Sequence, residues 1–218
     1  MVEKREEFFN RVFKEKLWGC EESFSGLGST KEATAPLSQE LPFVLDFLNI
    51  HSILDAPCGD FNWMRNVNLQ DVDYIGGDIV SELIERNNAL HKSDKRQFIH
   101  FDLVKDAIPE VDLVFVRHCF IHFDNSLVLE ALRNIVRHSV RYVAISHYNR
   151  LAPFRGKNID LDVKEANVND LYRPINFLLP PYNFPAPVYI MPGNAHDLFD
   201  TMAFWIREQI VASLEKKP

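Results

Sequence analysis

The chain has 218 residues, of which 46% are hydrophobic and 25% charged, values usual for a globular protein that exclude disordered and fibrous classes. A chain of this length is expected to form one large domain, because it is too short for two domains of ordinary size. The formal net charge of −7 argues against a general nucleic-acid binder, which needs an excess of Lys and Arg on at least one face. A small or neutral partner fits this charge better than nucleic acid.

The cysteines and the apolar runs indicate the cellular compartment. Cys20, Cys58 and Cys119 are odd in number and lack the paired spacing of a zinc site or a disulfide framework. They favour a reducing compartment and no bound metal. The N-terminal segment is charged, unlike a signal peptide, and no apolar run approaches the length of a membrane span. We therefore expect a cytoplasmic protein without a membrane partner.

The first 49 residues predict a helical cap ahead of the main domain. An amphipathic helix is predicted by apolar residues at helical spacing, Phe9, Val12, Phe13 and Leu17. In the Gly/Ser-rich loop that follows, Ser29 and Glu32 have the Ser-x-x-Glu form of a capping box, which predicts a helix N-terminus. A second helix is predicted by Leu41, Val44, Leu45 and Leu48. Pro36 and Pro42 must start, kink or interrupt it.

From residue 50 the chain alternates short apolar runs with amphipathic segments, which is typical of βαβ units and a parallel sheet. The predicted strands are 52–56, 74–78, 97–101, 112–116 and 142–146. Helices are predicted between them by Ile79, Leu83 and Ile84, and by Val128, Leu132, Ile135 and Val136. Two closing strands, 188–191 and 202–206, are expected as an antiparallel pair at one edge. The predicted fold is a three-layer α/β sandwich with a seven-stranded, mostly parallel sheet.

Acidic residues stand at the ends of two predicted strands. Asp55 ends the first strand and runs into a tight turn at Gly59, which would let the backbone approach a ligand closely. Asp78 ends the second strand, nineteen positions after Gly59, where a carboxylate can accept hydrogen bonds from both hydroxyls of a ribose. Taken singly, Asp55 could cap a helix and Asp78 could shape a turn. Their strand context and spacing together favour ligand binding.

Residues 50–147 resemble class I S-adenosylmethionine-dependent methyltransferases. The first motif of that family is an acidic residue followed by alternating glycines; this chain keeps Asp55 and Gly59 but has Pro57 and Phe61 at the flanking glycine positions. Asp78 corresponds to the family residue that grips the ribose. The whole chain also resembles a bacterial branch of the family, through Trp-Gly at 18–19, Ser-Gly-x-Gly-Ser-Thr at 25–30, Pro-Cys-Gly-Asp-Phe-Asn-Trp at 57–63, and an Arg-Pro-x-Asn stretch followed by Pro-Pro-Tyr.

The resemblance implies a Rossmann-like fold and a single methyltransferase domain at 1–218, with a helical cap at 1–49, a catalytic core at 50–218 and an acceptor or lid loop at 150–187. It implies S-adenosylmethionine (SAM) as cofactor and S-adenosylhomocysteine (SAH) as product, and says almost nothing about the acceptor. We expect methyl transfer to a small-molecule or saccharide-like acceptor at oxygen. The residues expected to bind the cofactor are Trp18, Gly28, Ser29, Asp55, Pro57, Gly59, Asp60, Trp63, Asp78, Ile79, Asp102, Leu103 and Arg117. Asp102 and Leu103 are the pair expected to meet the adenine.

Two histidines after the fourth strand are candidates for the base that a hydroxyl acceptor requires. His118 and His122 are four residues apart and would share one face of a helical turn. A metal pair there lacks a third ligand nearby, so we prefer His122 or His118 as a general base. Each ring could instead pack against the core with a hydrogen bond to the backbone. His147, at the end of the fifth strand, is a third candidate and is expected to contact the acceptor.

Two loops are expected to close the site. The loop 18–30 is expected to fold over the cofactor, although Ser29 could simply cap its helix. The Asn- and Pro-rich segment after residue 147 is typical of a lid or binding loop. Within it, Arg173, Asn176 and Tyr182 have the mixed polar and aromatic character of an acceptor pocket. A rigid structural lid would use the same prolines.

Two other functions compete with methyl transfer. The missing glycines at Pro57 and Phe61 leave room for a catalytically inactive SAM-binding module. An NAD-dependent oxidoreductase is disfavoured, because a pyrophosphate needs an open helix N-terminus and Phe61 and Trp63 fill that space. Aromatic neighbours suit a sulfonium cation, although Trp63 could equally serve ordinary helix-to-sheet packing.

Overall fold

A seven-stranded sheet forms the centre of the chain in the computed structural model, which describes residues 5–69, 71–151, 154–161 and 172–216. The strands are β1 (Ser52–Asp55), β2 (Asp73–Asp78), β3 (Arg96–His100), β4 (Val111–Val116), β5 (Val140–Tyr148), β6 (Tyr189–Pro192) and β7 (Asp200–Ile206). Their spatial order is β3-β2-β1-β4-β5-β7-β6. The predicted seven-stranded sheet is confirmed. Residues 152–153 and 162–171 of the predicted loop at 150–187 lie outside the described residues.

The strand directions bring the ends of several strands to one edge of the sheet. β1 pairs in parallel with β2 and β4, β2 with β3, and β4 with β5. β7 runs antiparallel to both β5 and β6, which confirms the expected antiparallel pair at the edge. The carboxyl ends of β1 to β5 and the amino end of β7 therefore meet at the same edge. In open α/β sheets this edge is where ligands bind.

The central strand β4 is buried on both faces. Leu113, Val114, Phe115 and Val116 are all fully buried, which suits a parallel strand covered by helices on each side. Leu113 and Phe115 face one apolar cluster, and Val114 and Val116 face the other. Burial of each such side chain contributes about 1.5–3 kcal/mol relative to exposure. The two clusters hold the sheet rigid where it supports the site.

Five helices flank the sheet in the described ranges. They are α1 (Arg5–Lys14), α2 (Ala35–Phe47), α3 (Ser81–His91), α4 (Asn125–Val136) and α5 (Arg207–Leu214). α2 starts with Pro36 in its first turn and continues through Pro42. α4 is capped by Asp124, whose Oδ1 accepts the N–H of Leu127 at 2.8 Å. α2 packs on one face of the sheet, while α4 and α5 pack on the other.

The prediction that Ser29 caps a helix is wrong. Ser29 ends a short 3-10 turn that starts at Leu27, and α2 begins six residues after Ser29 at Ala35. The hydroxyl of Thr30 instead accepts the N–H of Ala33 at 3.2 Å. The local turn at Thr30 therefore takes the hydrogen bond that the capping box assigned to Ser29.

The link between β1 and β2 contains one 3-10 turn, Met64–Asn66, where nucleotide-binding sheets usually place a full helix. Two aromatic residues of this link, Phe61 and Trp63, are buried against the sheet. The turn after β1 is therefore supported by aromatic packing.

None of the helices in the described ranges is both long and apolar enough to cross a membrane.

Candidate functional site

A cavity of about 400 Å³ lies at the edge where the parallel strands end. Every residue predicted to bind a cofactor lines it, and so do both predicted bases, His118 and His122. One side of the cavity, here called the strand side, is formed where β1, β2 and β3 end, with Asp55, Asp78 and Asp102. The opposite side, here called the loop side, is lined by His118, Tyr172, Asn194, Asp197 and Asp200.

Asp78 is held by backbone N–H groups at both carboxylate oxygens. Its Oδ2 accepts the N–H of Gly59 and its Oδ1 accepts the N–H of Val80, both at 3.0 Å. Burial raises the pKa of Asp78 to about 6, although these two N–H groups favour its charged form. Each oxygen retains a second lone pair. Asp78 can therefore accept hydrogen bonds from a ligand at both oxygens.

Asp55 is a buried carboxyl of the cavity lining and is held by a tyrosine. The hydroxyl of Tyr74 donates to Oδ2 of Asp55 at 2.6 Å. Burial raises the pKa of Asp55 to about 7, and this hydrogen bond and the charge of Arg117 only partly counteract the shift. Asp55 is thus a largely desolvated carboxyl that a neighbouring cation can keep ionised.

Gly59 allows the turn after β1 to pass close to the loop 18–30. Its φ is +55°, and a Cβ at this position would lie 2.1 Å from Oγ of Ser25. Asp60 joins the same two segments, because its carboxylate accepts the Ser23 hydroxyl at 3.0 Å and the Phe24 N–H at 2.9 Å. The turn and the loop therefore form one continuous wall of the cavity.

Phe61 adopts the backbone conformation for which the turn would otherwise need a glycine. Its φ is +58°, in the left-handed region that glycine adopts at little cost. The ring is buried against Tyr74 and Phe98, with centroids 5.2 and 5.1 Å away, and the Arg96 guanidinium lies 4.9 Å from it. Aromatic packing offsets the backbone strain. At the other flanking position, the peptide bond between Ala56 and Pro57 is cis.

Asp102 is engaged by the N-terminal helix. Nη2 of Arg5 in α1 donates to both carboxylate oxygens of Asp102, at 3.1 and 2.8 Å. Asp102 also accepts the N–H of Val104 at 3.0 Å. Nη1 of Arg5 is buried and has no hydrogen-bond partner among the described residues. α1 therefore reaches the cavity wall through an ion pair whose cation has a donor to spare.

Arg117 is the buried cation between the two sides of the cavity. Its Nη2 donates to the carbonyl oxygens of Gly28 at 2.8 Å and Gly193 at 3.1 Å, and its guanidinium lies 5.5 Å from the Trp63 ring. Within the described chain, the buried Nε has no hydrogen-bond partner. Burial lowers the pKa of Arg117 to about 10, so it stays charged at neutral pH. A ligand carboxylate would satisfy the spare donor.

The two candidate bases have different surroundings. Nε2 of His118 lies 2.8 Å from Oδ2 of Asp200. The ring of His122 stacks on Trp18, with centroids 5.5 Å apart and an interplanar angle of 21°. The expected shared helical face is wrong, because the 3-10 turn Phe120–His122 includes only His122, and His118 has a left-handed backbone with φ +49°.

Similar proteins are found among solved structures. The sequence matches no family model and no curated protein. The structure is similar to PigF with SAH, at 13% identity and a TM-score of 0.53, over 79% of this chain and 55% of PigF. It is also similar to human N-acetylserotonin methyltransferase in complex with SAM, at 12% identity and a TM-score of 0.51, over 90% and 64% of the two chains. The chain thus spans between half and two thirds of the length of these proteins.

A third similar structure is the methyltransferase domain of bacterial CtHen1-CN, at 14% identity and a TM-score of 0.54, over 80% of this chain and 99% of that domain. The chain has the Rossmann-like fold of class I SAM-dependent methyltransferases. The resemblance in the sequence had led us to expect this methyltransferase fold, and the three structures confirm it.

Three of the predicted acceptor contacts do not line the cavity of this methyltransferase fold. Arg173 is buried, and its guanidinium donates to the carbonyl oxygens of Phe123 and Ile159 and to the Tyr182 hydroxyl. Asn176 donates to the carbonyl oxygen of Arg150 at 3.2 Å. Their hydrogen bonds tie the Pro-rich segment to the domain, which is the structural role that the prolines also suit.

His147 also lies away from the main cavity. Its Nδ1 accepts the N–H of Phe177 at 3.2 Å, and burial lowers its pKa to about 4. Its ring lines a small separate void of about 20 Å³ that His118 and Asp200 border from the other side. His147 is therefore a neutral buried ring behind the loop side at neutral pH.

Sequence reasoning missed part of the cavity lining, including Arg5, Tyr172, Asn194, Asp197 and Asp200. Three of them lie in the turn between β6 and β7 or at the start of β7. Because β7 is antiparallel, its first residue reaches the same edge as the ends of the parallel strands. The polar residues just before the predicted final strand could have been found by this reasoning.

Proposed function

We propose that the protein transfers a methyl group from SAM to a hydroxyl oxygen of a small-molecule or saccharide-like acceptor and releases SAH. The observation that carries this proposal is Asp78, a buried carboxylate at the end of β2 with both oxygens oriented by backbone N–H groups. Such a carboxylate can accept hydrogen bonds from the two ribose hydroxyls of SAM. PigF and the human enzyme, which share the fold, are described with SAH and with SAM.

The remainder of the strand side fits the other parts of SAM. Ile79 and Leu103 offer apolar surface for the adenine, and Asp102 offers a carboxylate to its amino group. The spare Nε donor of Arg117 suits the carboxylate of the methionine portion. Asp55 lies within the electrostatic reach of Arg117 and adds negative charge beneath a sulfonium. These residues together would hold the cofactor in one orientation.

The loop side fits a polar acceptor. Asp197 and Asn194 present a carboxylate and an amide to the cavity, and Tyr172 adds an aromatic face. Carboxylate and amide groups exchange hydrogen bonds with hydroxyls, and an aromatic face packs on the apolar side of a sugar or a ring. This combination supports a hydroxylated acceptor over a purely apolar one.

Bound SAM would supply an electrophilic methyl group, from which the acceptor oxygen displaces the sulfur in line. The protein has to orient the acceptor oxygen toward that methyl group, exclude water and take the hydroxyl proton. His118 and His122 both line the cavity, and each ring has a nitrogen that can accept a proton.

A binding and turnover experiment tests this function. SAM and SAH are titrated calorimetrically into the protein, and a metabolite and glycan library is then screened with SAM for release of SAH. We expect both ligands to bind and at least one hydroxylated compound to be methylated at oxygen. NAD serves as the competitor in a displacement assay.

Each outcome assigns the function differently. Binding of SAM and SAH without turnover in any library compound would favour the inactive binding module. Binding of NAD that SAH fails to displace would overturn the proposal in favour of an oxidoreductase. Methylation at nitrogen would retain the methyltransferase and correct the acceptor atom.

A further inference from the structure

We propose that His118 and Asp200 form a catalytic dyad, in which Nδ1 of His118 takes the acceptor proton and Asp200 acts as a positioning residue. Nε2 of His118 lies 2.8 Å from Oδ2 of Asp200, and the two residues are 82 positions apart in sequence. His118 follows β4, whereas Asp200 begins β7. The inference rests on the proposed methyl transfer and names the residues that assist it.

The hydrogen bond to Asp200 decides which ring nitrogen can act as a base. An ionised carboxylate only accepts hydrogen bonds, so Nε2 of His118 must be the nitrogen that carries the proton. The neutral ring then has its lone pair at Nδ1. Burial would raise the pKa of Asp200, but the hydrogen bond from His118, the charge of Arg117 and a hydrogen bond from Asn194 favour the carboxylate, and the pKa is lowered. Asp200 is therefore ionised at neutral pH.

The space beside Nδ1 is kept open by a glycine. A Cβ on Gly28 would lie 3.2 Å from both Nδ1 and Cε1 of His118, closer than ordinary van der Waals contact with the edge of the ring that carries the lone pair. Gly28 leaves that space empty within the cavity. An acceptor hydroxyl can approach Nδ1 there.

The backbone holds the ring in this orientation. His118 adopts φ +49°, a conformation that is uncommon for residues other than glycine and concentrates at functional sites. Its N–H donates to Oγ of Ser146 in β5 at 2.9 Å. One neighbouring strand thus fixes the His118 backbone while another fixes its ring.

The surroundings keep the His118 ring neutral before reaction. Burial and then the charge of Arg117 lower its pKa, and together they outweigh the opposing effect of Asp200. The titratable and charged groups around the ring, on the elements that border it, are Arg117, Asp200, Asp197, Tyr172 and His147. A neutral ring with a free lone pair is the form that a general base requires.

The reaction step balances as follows. The acceptor O–H donates to Nδ1 of His118, and an oxygen lone pair forms the bond to the methyl carbon. The O–H bond breaks as the proton passes to Nδ1, and the electron pair of the broken carbon–sulfur bond stays on sulfur. The products are the O-methylated acceptor, SAH and a His118 imidazolium that remains paired with ionised Asp200. The imidazolium then releases its proton to solvent.

His122 is a weaker candidate for the same role. Its ring stacks on Trp18 and meets Phe9 edge-on, with centroids 5.5 and 6.2 Å apart. This packing joins the N-terminal segment to the cavity wall. A ring that serves as part of the wall offers less of its edge to an acceptor than His118 does beside Gly28.

The ring tautomer can be measured without any substrate. Two-dimensional NMR of ¹⁵N-histidine-labelled protein reports which nitrogen of His118 is protonated. We expect the Nε2–H form in the wild type at pH 8. In Asp200→Asn the amide can donate to Nε2, so we expect the Nδ1–H form to become populated. Asp197→Asn removes the same charge from the loop side without touching His118, and there we expect the wild-type tautomer.

The accessibility of Nδ1 can be measured with diethyl pyrocarbonate, which acylates unprotonated imidazole nitrogens. Modification of His118 is followed by mass spectrometry. We expect Gly28→Ala to slow it at least tenfold, because the added Cβ covers Nδ1, while the tautomer seen by NMR stays that of the wild type. An unchanged modification rate in Gly28→Ala would contradict the open space beside Nδ1.

Turnover with the acceptor found in the screen completes the test. We expect His118→Asn to lower kcat by about 10²- to 10⁴-fold and Asp200→Asn by about 10²-fold, with the Kd for SAM within threefold of wild type. If wild type binds no SAM, the proposed function fails, and the dyad's role fails with it. If wild type is active and His118→Asn keeps turnover within threefold, or the wild-type tautomer is Nδ1–H, the dyad alone is overturned.

Discussion

The strand side and the loop side of the cavity are built in different ways. On the strand side, Asp78 stands at the end of a buried parallel strand and is oriented by N–H groups within two residues of it or in the adjacent turn. On the loop side, His118 and Asp200 orient each other across 82 residues of sequence. The first arrangement is set by backbone geometry, the second by the meeting of distant side chains.

This difference indicates how each side tolerates change. A carboxylate at a strand end keeps its position as long as the sheet forms. The strand side therefore suits a cofactor that is the same for every acceptor. Side chains on turns can be exchanged without disturbing the sheet. The loop side is therefore the part of the cavity that would vary with the acceptor.

The largest expected effect concerns the strand side. Asp78→Ala should weaken SAM binding by about 10²- to 10⁴-fold, because two hydrogen bonds to a charged acceptor are lost at about 1.5–3 kcal/mol each. Calorimetry gives the Kd, and a thermal melt verifies that the variant is folded. Asp73→Ala, at the exposed start of the same strand, is the control and should bind SAM as the wild type does. Equal affinity of both variants would refute the ribose assignment.

The next largest effect is on stability and concerns Arg173, which lies in the Pro-rich segment outside the main cavity. Arg173→Met should lower the free energy of unfolding by about 3 kcal/mol, because buried carbonyl oxygens lose a charged donor. The exposed Arg137→Met at the end of α4 should change it by less than about 0.5 kcal/mol. Chemical denaturation measures both. If Arg173→Met is as stable as the wild type but raises the KM for the acceptor, Arg173 must instead be assigned to the acceptor site.

A moderate effect is expected from pH. The pKa of Asp78 is about 6, so its carboxylate is mostly ionised at pH 7 and mostly protonated at pH 5. The Kd for SAM should therefore rise by roughly tenfold as the pH falls from 7 to 5. The same titration of Asp78→Asn should show a much smaller change. A wild-type Kd that stays constant over this range would show that ionisation of Asp78 does not control binding.

The smallest effect concerns α1, which borders the strand side. Arg5→Met removes the pair with Asp102 and should speed SAH release by about threefold, since partly exposed ion pairs contribute at most about 1 kcal/mol. Stopped-flow displacement measures the off-rate. Lys14→Met, in the same helix but paired with Glu82 on the surface, should leave it unchanged. Slower release from Arg5→Met would mean that the ion pair competes with the ligand for Asp102.

The strand side could be predicted from the sequence because its information is local. Asp55 and Asp78 follow apolar runs that predict strands, and parallel strands bring their ends to one edge. The same reasoning failed for Ser29, where Thr30 one residue later makes the competing hydrogen bond. Local patterns thus locate strand ends well and distinguish neighbouring hydroxyls poorly.

The loop side depends on contacts that no local pattern encodes. Asp200 precedes the predicted start of the last strand, and its pairing with His118 follows only from the antiparallel direction of β7. Arg173 and Asn176 were also placed by a local pattern, and neither lines the main cavity. Their Pro-rich context is typical of a binding loop, yet their hydrogen bonds are made to the backbone of the domain.

The single 3-10 turn between β1 and β2 bears on which ligands the protein accepts. A full helix at this position would aim about half a positive charge at the ligand. Met64–Asn66 makes only one short turn, so Arg117 beside Trp63 supplies the positive charge next to this wall, while the Arg5 guanidinium is already paired with Asp102. One cation balances the single carboxylate of an amino-acid ligand but leaves a doubly charged pyrophosphate short by one. We therefore expect this wall to bind SAM and SAH, which carry one carboxylate each, more tightly than NAD, whose pyrophosphate is doubly charged.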